Sequence, residues 1–361
     1  MKVFKKILKI LGIVLLAVVV LAAGLVGYLS ITEYDPADTE LLNVEGKSGD
    51  DVRLETGYTL LSWNIGYGAL GDNADFFMDG GSMVQSSDKA RVQENLGRIT
   101  DAILEQSPDF VFLQETDVGS KRSYHIDQTA LIGAAFPACQ SSFAYNYKTA
   151  YVPYPLPPIG KVQSGLFTLS ACTVREASRV KLPCPFTWPV STVNLKRCLL
   201  VSRLPIAESG KELVLINLHL EAYDDGEGKI AQTKLLREIL EAEAAKGNFV
   251  IAGGDFNQTF SNVDLSKYPQ QEGRWASGRI DISEFDSSWQ FLMTNEVPSC
   301  RSLDQPYAGA DHASFQYYVI DGFIVSSNVE VQRFEVLDKG FVNTDHNPTL
   351  LNFCLKEEAV P

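Results

Sequence analysis

No CxxC pair, no HExxH, no GxSxG elbow and no GxxxxGK[ST] loop occurs in these 361 residues. A thioredoxin-like redox pair, a zincin helix, a serine-hydrolase elbow and a P-loop NTPase are thereby excluded. Histidine is scarce, with four in the chain. Basic residues are outnumbered, 31 Lys plus Arg against 45 Asp plus Glu, for a net charge of −14. The first thirty residues hold four lysines and no acid, so setting those four aside leaves −18 on the remainder. A body that acidic repels polyanions and argues against broad, charge-driven binding of nucleic acid, which stays an open but disfavoured partner. Repeats and low-complexity tracts are missing too. With 45% hydrophobic and 21% charged residues, the composition is that of an ordinary globular chain.

Four lysines, Lys2, Lys5, Lys6 and Lys9, precede an uncharged run of nineteen residues from Ile10 to Tyr28. At 1.5 Å per residue that run is roughly 28 Å long, the thickness of a bilayer core. Acids follow it: Glu33, Asp35, Asp38 and Glu40. The charge order predicts a single-pass helix with its N-terminus in the cytoplasm and the rest of the chain outside. Ala22-Ala23-Gly24 keeps a cleaved signal peptide, and hence a secreted product, as the alternative. The expected organisation is an anchor or uncleaved signal over 1–30, a polar linker over 31–57, one globular domain over 58–355 and a tail over 356–361. The six cysteines (Cys139, Cys172, Cys184, Cys198, Cys300, Cys354) would be exported with it. Disulfides are allowed there, but no spacing singles out a pair.

Within the domain, Thr59–Ile65, Asp109–Gln114, Glu212–Leu220, Asn248–Ala252, Tyr317–Val325 and Pro348–Leu355 read as strands. Ser87 is expected to cap a helix running to Gln106, with Val92, Leu96, Ile99 and Ile103 at helical spacing. A second helix is expected over 229–246. Helices lying between more numerous strands predict a sheet-cored α/β domain with helices outside.

Each apolar run ends in residues that a strand core does not choose. Asn64 follows Leu-Leu-Ser-Trp, and Glu115 follows Phe-Val-Phe-Leu-Gln. His219 interrupts Leu-Ile-Asn-Leu-His-Leu, and Asp255 and Asn257 follow Val-Ile-Ala-Gly-Gly. Asp321 interrupts Val-Ile-Asp-Gly-Phe, and Asp345-His346-Asn347 precedes the last strand. One such group alone is commonly a turn former or a solvated end. Burying each costs a few kcal/mol unless it is paired, so six together predict one shared polar site. Oxygen ligands from Asp, Glu and Asn suit Mg²⁺, with Mn²⁺ as the alternative. A hard cation beside two histidines suits hydrolysis of phosphate esters.

Ser62-Trp63-Asn64-Ile65-Gly66, Leu113-Gln114-Glu115, Asn217-Leu218-His219-Leu220, Gly254-Asp255-Phe256-Asn257, Ile320-Asp321-Gly322-Phe323 and Thr344-Asp345-His346-Asn347-Pro348 occur in this order. Together they resemble the endonuclease/exonuclease/phosphatase superfamily, with its DNase I-like fold. The resemblance implies a four-layer α/β sandwich, two mixed β-sheets face to face with helices outside, preceded here by a transmembrane helix. It implies a metal-dependent phosphoric ester hydrolase with Glu115, Asn64 and Asp345 at the metal. It further implies Asp255 orienting water or assisting the leaving group, Asn257 donating to phosphate, His219 contacting phosphate or donating a proton, His346 as the second catalytic histidine, a base or transition-state stabiliser, and Asp321 orienting His346. Which group delivers the proton stays open. Gly322, where an aromatic is common, and Thr344, in place of the frequent Ser, depart from the pattern without removing a reacting group.

Substrate selection is read from the less regular stretches. Arg122 and His125, in the basic cluster after Glu115, and Tyr145, in an aromatic and proline-rich segment over 145–158, are expected at the substrate. The alternatives are a solvated loop for the first and, for the second, a segment touching the membrane surface or a rigid covering loop. Phe76–Gly81 reads as a loop over the site, Lys196-Arg197 as a solvated strand edge and Asp311-His312 as an ordinary loop. A monomer acting on a small phosphate ester or a lipid headgroup is expected, with a non-catalytic binding module or a nuclease as the competing readings.

Overall fold

The computed structural model describes residues 1–85, 87–224 and 226–356. In chain order the first elements are α1 (Lys2–Ile31), β1 (Thr39–Leu42), β2 (Gly57–Asn64), α2 (Lys89–Gln106), β3 (Phe110–Asp117) and α3 (Gln128–Gly133). Next come β4 (Gln140–Val152), β5 (Gly160–Ser170), β6 (Glu176–Lys181), β7 (Cys198–Pro205), β8 (Glu212–His219), α4 (Glu227–Ala244) and β9 (Phe249–Asp255). Then follow β10 (Gln258–Phe260), β11 (Gly278–Ile280), β12 (Trp289–Leu292), β13 (Cys300–Arg301), β14 (Tyr317–Tyr318), β15 (Asp321–Ser326), β16 (Val329–Val336) and β17 (Thr349–Leu355).

Two large mixed sheets carry the domain. One has the order β1-β6-β7-β8-β9-β15-β12 and the other β16-β17-β2-β3-β5-β4. Period-two alternation places successive side chains on opposite faces. Leu60, Phe110 and Phe112 meet Leu213, Leu215 and Ile251 between the sheets. Their neighbours Leu61, Val111 and Leu113 face outward under Leu96 and Ile99 of α2. On the opposite side, Val214, Ile216 and Val250 lie under Leu236 and Leu240 of α4. Both faces of the central strands are therefore covered, which is why they read as unbroken apolar runs. The result is the four-layer sandwich expected above.

The parallel pairs β2–β3 and β8–β9 are each joined by a helix, α2 and α4. Parallel pairing brings the C-terminal ends of all four strands to one edge of the sandwich, with Asn64 opposite Gln114 and His219 opposite Asp255. The antiparallel neighbour β15 starts at that edge, with Asp321 opposite Asp255. Strand β17 runs antiparallel to β2, so the residues just before it, Asp345 and His346, arrive at the same edge.

Several expectations change. The stretch 31–57 does not hang free as a linker: β1 pairs with β6, Glu45 bridges Ser141, and fully buried Val52 bridges Ile206. Asp88, not Ser87, caps α2, its carboxylate accepting from the Arg91 N–H at 2.8 Å. Of the segment 145–158, residues up to 152 belong to the thirteen-residue strand β4 rather than to a covering loop. The six cysteines, for which no pairing was expected, are free thiols. The tail beyond Lys356 lies outside the described residues.

Candidate active site

The converging strand ends open into a cavity of about 370 Å³. Glu115, His219, Asp255, Asn257, Asp345 and His346 line it, and Asn64 and Asp321 stand directly behind, hydrogen bonded to lining residues. A break in the β3–β5 register between Leu113 and Thr116 throws Glu115 out of strand alternation, at φ +55°. Such bulges re-aim a side chain, and here the carboxylate turns to the cavity while Gln114 stays between the sheets on Ser62 and Asn217. Gly254 adopts φ +141°, and a side chain there would collide with the Leu218 carbonyl oxygen. Glycine lets β9 press against β8 and bring Asp255 alongside His219.

Hydrogen bonds tie the group together. Asn64 Nδ2 donates to Asp255 Oδ2 at 3.0 Å and reaches Glu115 Oε1 at 3.4 Å. His219 Nε2 lies 3.4 Å from Asp255 Oδ2. His346 Nδ1 is 2.9 Å from Asp321 Oδ2, while its Nε2 faces Asp255 at 3.8 Å and Asp345 at 4.0 Å. Trp63 Nε1 donates to the His346 carbonyl oxygen at 2.9 Å, fixing the histidine backbone to β2. Asn257 Nδ2 donates one hydrogen to the Leu220 carbonyl oxygen at 2.9 Å, which leaves its second for the cavity.

The two histidines are driven in opposite directions. Burial, then the positive charges of Arg197 and His346, hold His219 well below its ordinary value, so it is neutral. Burial also disfavours the His346 cation but is outweighed by Cys300, Asp321 and Asp345, which hold its pKa well above the ordinary value. Burial pushes the Cys300 thiol up to about 12, so it stays protonated near neutrality and the carboxylates carry the effect. Glu115 is raised by burial and by the neighbouring charge of Asp345, partly offset by Arg122. Asp255 is raised to about 7 by burial and by Asp321.

Donor atoms of Asp255, Asp321 and His346, and of Cys300, Asp345 and His346, lie within 4.8 Å of one another. In the first group His346 and Asp321 already satisfy each other, and in the second the thiol is neutral. The mutually repelling carboxylates Glu115 and Asp345 offer oxygen donors of the kind a hard divalent cation requires, with Asn64 nearby, its Oδ1 already accepting from the Gly66 N–H at 3.1 Å. The residues present therefore fit such an ion.

Of the expected substrate residues, Arg122 lines the cavity. It forks onto Asp117 at 3.0 and 3.2 Å and lies 3.6 Å over the Tyr67 ring. His125 does not reach the cavity: the backbone turns left-handed at Tyr124 and His125, and the exposed ring pairs with the Gly119 carbonyl oxygen at 2.9 Å. Tyr145 also points away, packed on Tyr34 and under the Lys148 ammonium, while its neighbours Asn146 and Tyr147 line the wall. Lys196-Arg197 is no solvated edge. Arg197 is buried, with Nε 3.1 Å from Glu221 Oε2 and Nη1 donating to the His219 carbonyl oxygen at 3.0 Å. Phe76, Met78 and Asp79 reach the cavity from the loop expected over the site. His312 stacks on Tyr307 away from it.

Sequence reasoning missed Arg301, Tyr67 and the Asp79–Tyr223 contact. Arg301 is fully buried beside the cavity, donating to the Ser302 and Gly71 carbonyl oxygens. Tyr67 lies in Gly66-Tyr67-Gly68-Ala69-Leu70-Gly71, a stretch that literally spells a GxGxxG string. Gly66–Gly68 folds as a tight 3-10 turn and, among the described residues, no α-helix follows until α2, so the stretch builds a cavity wall and not a dinucleotide cradle. Glycines flanking an aromatic three residues after Asn64 were the available signal. Tyr223 Oη donates to Asp79 Oδ1 at 3.1 Å, joining two loops far apart in sequence.

The comparisons with known proteins bear on the fold and the family. No curated protein matches the chain significantly. Among solved structures, an endonuclease/exonuclease/phosphatase from Beutenbergia cavernae is similar at TM-score 0.53 and 18% identity, over 84% of this chain and 73% of that one. The human Nocturnin catalytic domain is similar at 0.52 and 16%, over 87% and 97%. An endonuclease/exonuclease/phosphatase from Bacteroides vulgatus is similar at 0.52 and 14%, over 84% and 100%. These likenesses give the fold. The family profile matches residues 61–346, and the chain belongs to the endonuclease/exonuclease/phosphatase family.

Proposed function

We propose that this protein is a membrane-anchored, extracytoplasmic, Mg²⁺-dependent phosphoric ester hydrolase, with Mn²⁺ as a substitute ion. Family membership supports hydrolysis at a phosphoester bond. The observation that carries the reading is the meeting of Glu115, Asp255, Asp345, His219 and His346 in one cavity. Glu115, Asp345 and Asn64 would hold the cation. Bound there, it supplies positive charge that neutralises phosphoryl oxygens and the leaving oxygen.

The protein's own groups do the rest. Asp255, held between Asn64 and His219, orients the attacking water and accepts its proton. His346, kept cationic by Asp321 and Asp345, faces the same space through Nε2 and donates to a phosphoryl oxygen. Neutral His219 and the free hydrogen of the Asn257 amide complete the cradle. Arg122 and Arg197 add positive charge at the wall.

The length and apolarity of α1 support the anchor, because it is the one helix among the described residues that could cross a bilayer. The lysines ahead of the apolar run support a cytoplasmic N-terminus. The acidic body and the confined cavity favour small phosphate esters or headgroups over long nucleic acids. The test is turnover of a panel of phosphodiesters, phosphomonoesters, DNA and RNA with Mg²⁺ and with EDTA. Metal-dependent turnover of at least one ester, lost in Glu115→Gln and His346→Ala, is expected. No turnover, or turnover indifferent to both substitutions, overturns the reading.

A further inference from the structure

The last turn of α1 is built onto the wall of the cavity. Leu29 is buried and Leu25 and Val26 are half-buried, and the helix end packs on the 3-10 turn Val190–Val193. Trp188 Nε1 donates to Ser30 Oγ at 2.9 Å. Just past the helix, Glu33 accepts from Ser191 Oγ at 3.2 Å and from Lys196 Nζ at 2.7 Å. The same segment sends Phe186 and Leu195 into the cavity lining.

A second loop reaches the same lining. The β4–β5 connection contributes Ile159 to the cavity, and its Tyr154 ring meets Phe77, next to the rim residue Met78. These two loops carry large apolar side chains in the open: Leu156 is 87% exposed, Tyr154 70%, Trp188 63% and Val190 52%. Single exposed apolar residues are ordinary on soluble proteins. Four on two loops that wall one cavity, with Trp188 and Val190 beside the end of an apolar helix, call for a partner.

The position of Trp188 says which partner. The uncharged stretch that forms α1 runs on through Ser30, the serine that Trp188 holds, and ends at Thr32, just before Glu33. At 1.5 Å per residue the tryptophan stands roughly 4.5 Å short of that first acid, at the level where the apolar helix gives way to the headgroups. Tryptophan and tyrosine are enriched at that level because one end of the ring is apolar and the other polar. We infer that loops 153–159 and 184–195 form a bilayer-contact rim, held at the membrane surface by α1, and that the cavity takes phosphate esters carried by membrane lipids.

The inference rests on the proposed reading of α1 as an anchor and of the cavity as a phosphoesterase site. The chemistry needs no second substrate. The water oxygen bonds to phosphorus, the bond from phosphorus to one alcohol oxygen breaks, and that oxygen takes up the proton.

The test uses the full chain in phosphatidylcholine–phosphatidylglycerol vesicles with plain or brominated acyl chains. Subtracting the Trp188→Phe spectrum isolates the emission of Trp188, and bromine is expected to quench it by at least half. Unquenched emission from protein that floats with the vesicles overturns the rim. Failure to float overturns the anchor and the rim together. In the same vesicles, Leu156→Glu is expected to lower release of phosphate-linked headgroup at least fivefold while leaving bis(p-nitrophenyl) phosphate hydrolysis unchanged. Equal loss on both, or on neither, overturns the inference, as does hydrolysis of the soluble ester with none of the lipid. Absence of turnover on both esters instead removes the phosphoesterase reading and the lipid substrate with it, while the quenching result still decides the rim.

Discussion

Replacing Asp321 by Asn keeps the shape of the side chain and removes its charge. Asp321 Oδ2 lies 2.9 Å from His346 Nδ1, and both groups are buried. A hydrogen bond to a charged group contributes about 1.5–3 kcal/mol. If that contribution is felt when charge develops on the phosphoryl oxygens, kcat falls roughly 10- to 150-fold at about 1.36 kcal/mol per decade. KM should stay within about threefold, because substrate binding leans on the cation and the arginines. The Asp321 N–H bond to Ser299 Oγ, at 3.1 Å, is untouched, so β15 keeps its start and the melting temperature should move by only a few degrees. The assay is steady-state hydrolysis of bis(p-nitrophenyl) phosphate with saturating Mg²⁺, beside thermal melting of both proteins. A kcat within twofold of the parent in a protein that melts normally would refute the positioning role of Asp321.

Other consequences follow from the fold. Glu243 accepts from Arg203 at 2.6 and 3.0 Å, from Lys246 at 2.7 Å and from Asn248 at 2.9 Å; although burial works against it, these donors hold its carboxyl down at about 2. A depressed acid contributes stability above its unfolded value near 4.5 and loses it as pH falls toward 2. Glu243→Gln should therefore cost about 2 kcal/mol at pH 7 by urea unfolding in detergent, with the gap narrowing from pH 5 to pH 3; a gap independent of pH contradicts this. Gly254→Ala, which brings a methyl onto the Leu218 carbonyl oxygen at φ +141°, should lower the melting temperature by several degrees and cut turnover at least tenfold by moving Asp255. A soluble variant with parental turnover would show that β9 accommodates the methyl elsewhere.

What the sequence made legible was set by burial on two faces. Strands such as β3 and β8 are covered on both sides, so a single polar residue at their ends stands out against Phe-Val-Phe-Leu or Leu-Val-Leu-Ile. That contrast picked out Glu115, His219, Asp255, Asp321 and His346, which do meet. Strand β1 was hidden because it is a four-residue edge strand of alternating exposure inside a polar stretch. Strand β4 was hidden because Ser, Tyr, Asn and Lys alternate along it with one face only partly covered. Arg197 looked solvated because nothing local shows that Glu221, twenty-four residues on, waits as its buried partner. His125 looked available because the left-handed turn that carries it away has no glycine to announce it. Long-range pairing and backbone handedness, rather than composition, decided those positions.

The central claim is that a divalent cation sits between Glu115 and Asp345 in the cavity that also holds His219 and His346. Anomalous diffraction from crystals of the full chain grown with Mn²⁺ tests it directly. The account predicts the strongest peak within roughly 2.5 Å of carboxylate oxygens of both residues. A strongest peak outside the cavity, or no peak at saturating Mn²⁺, would contradict it.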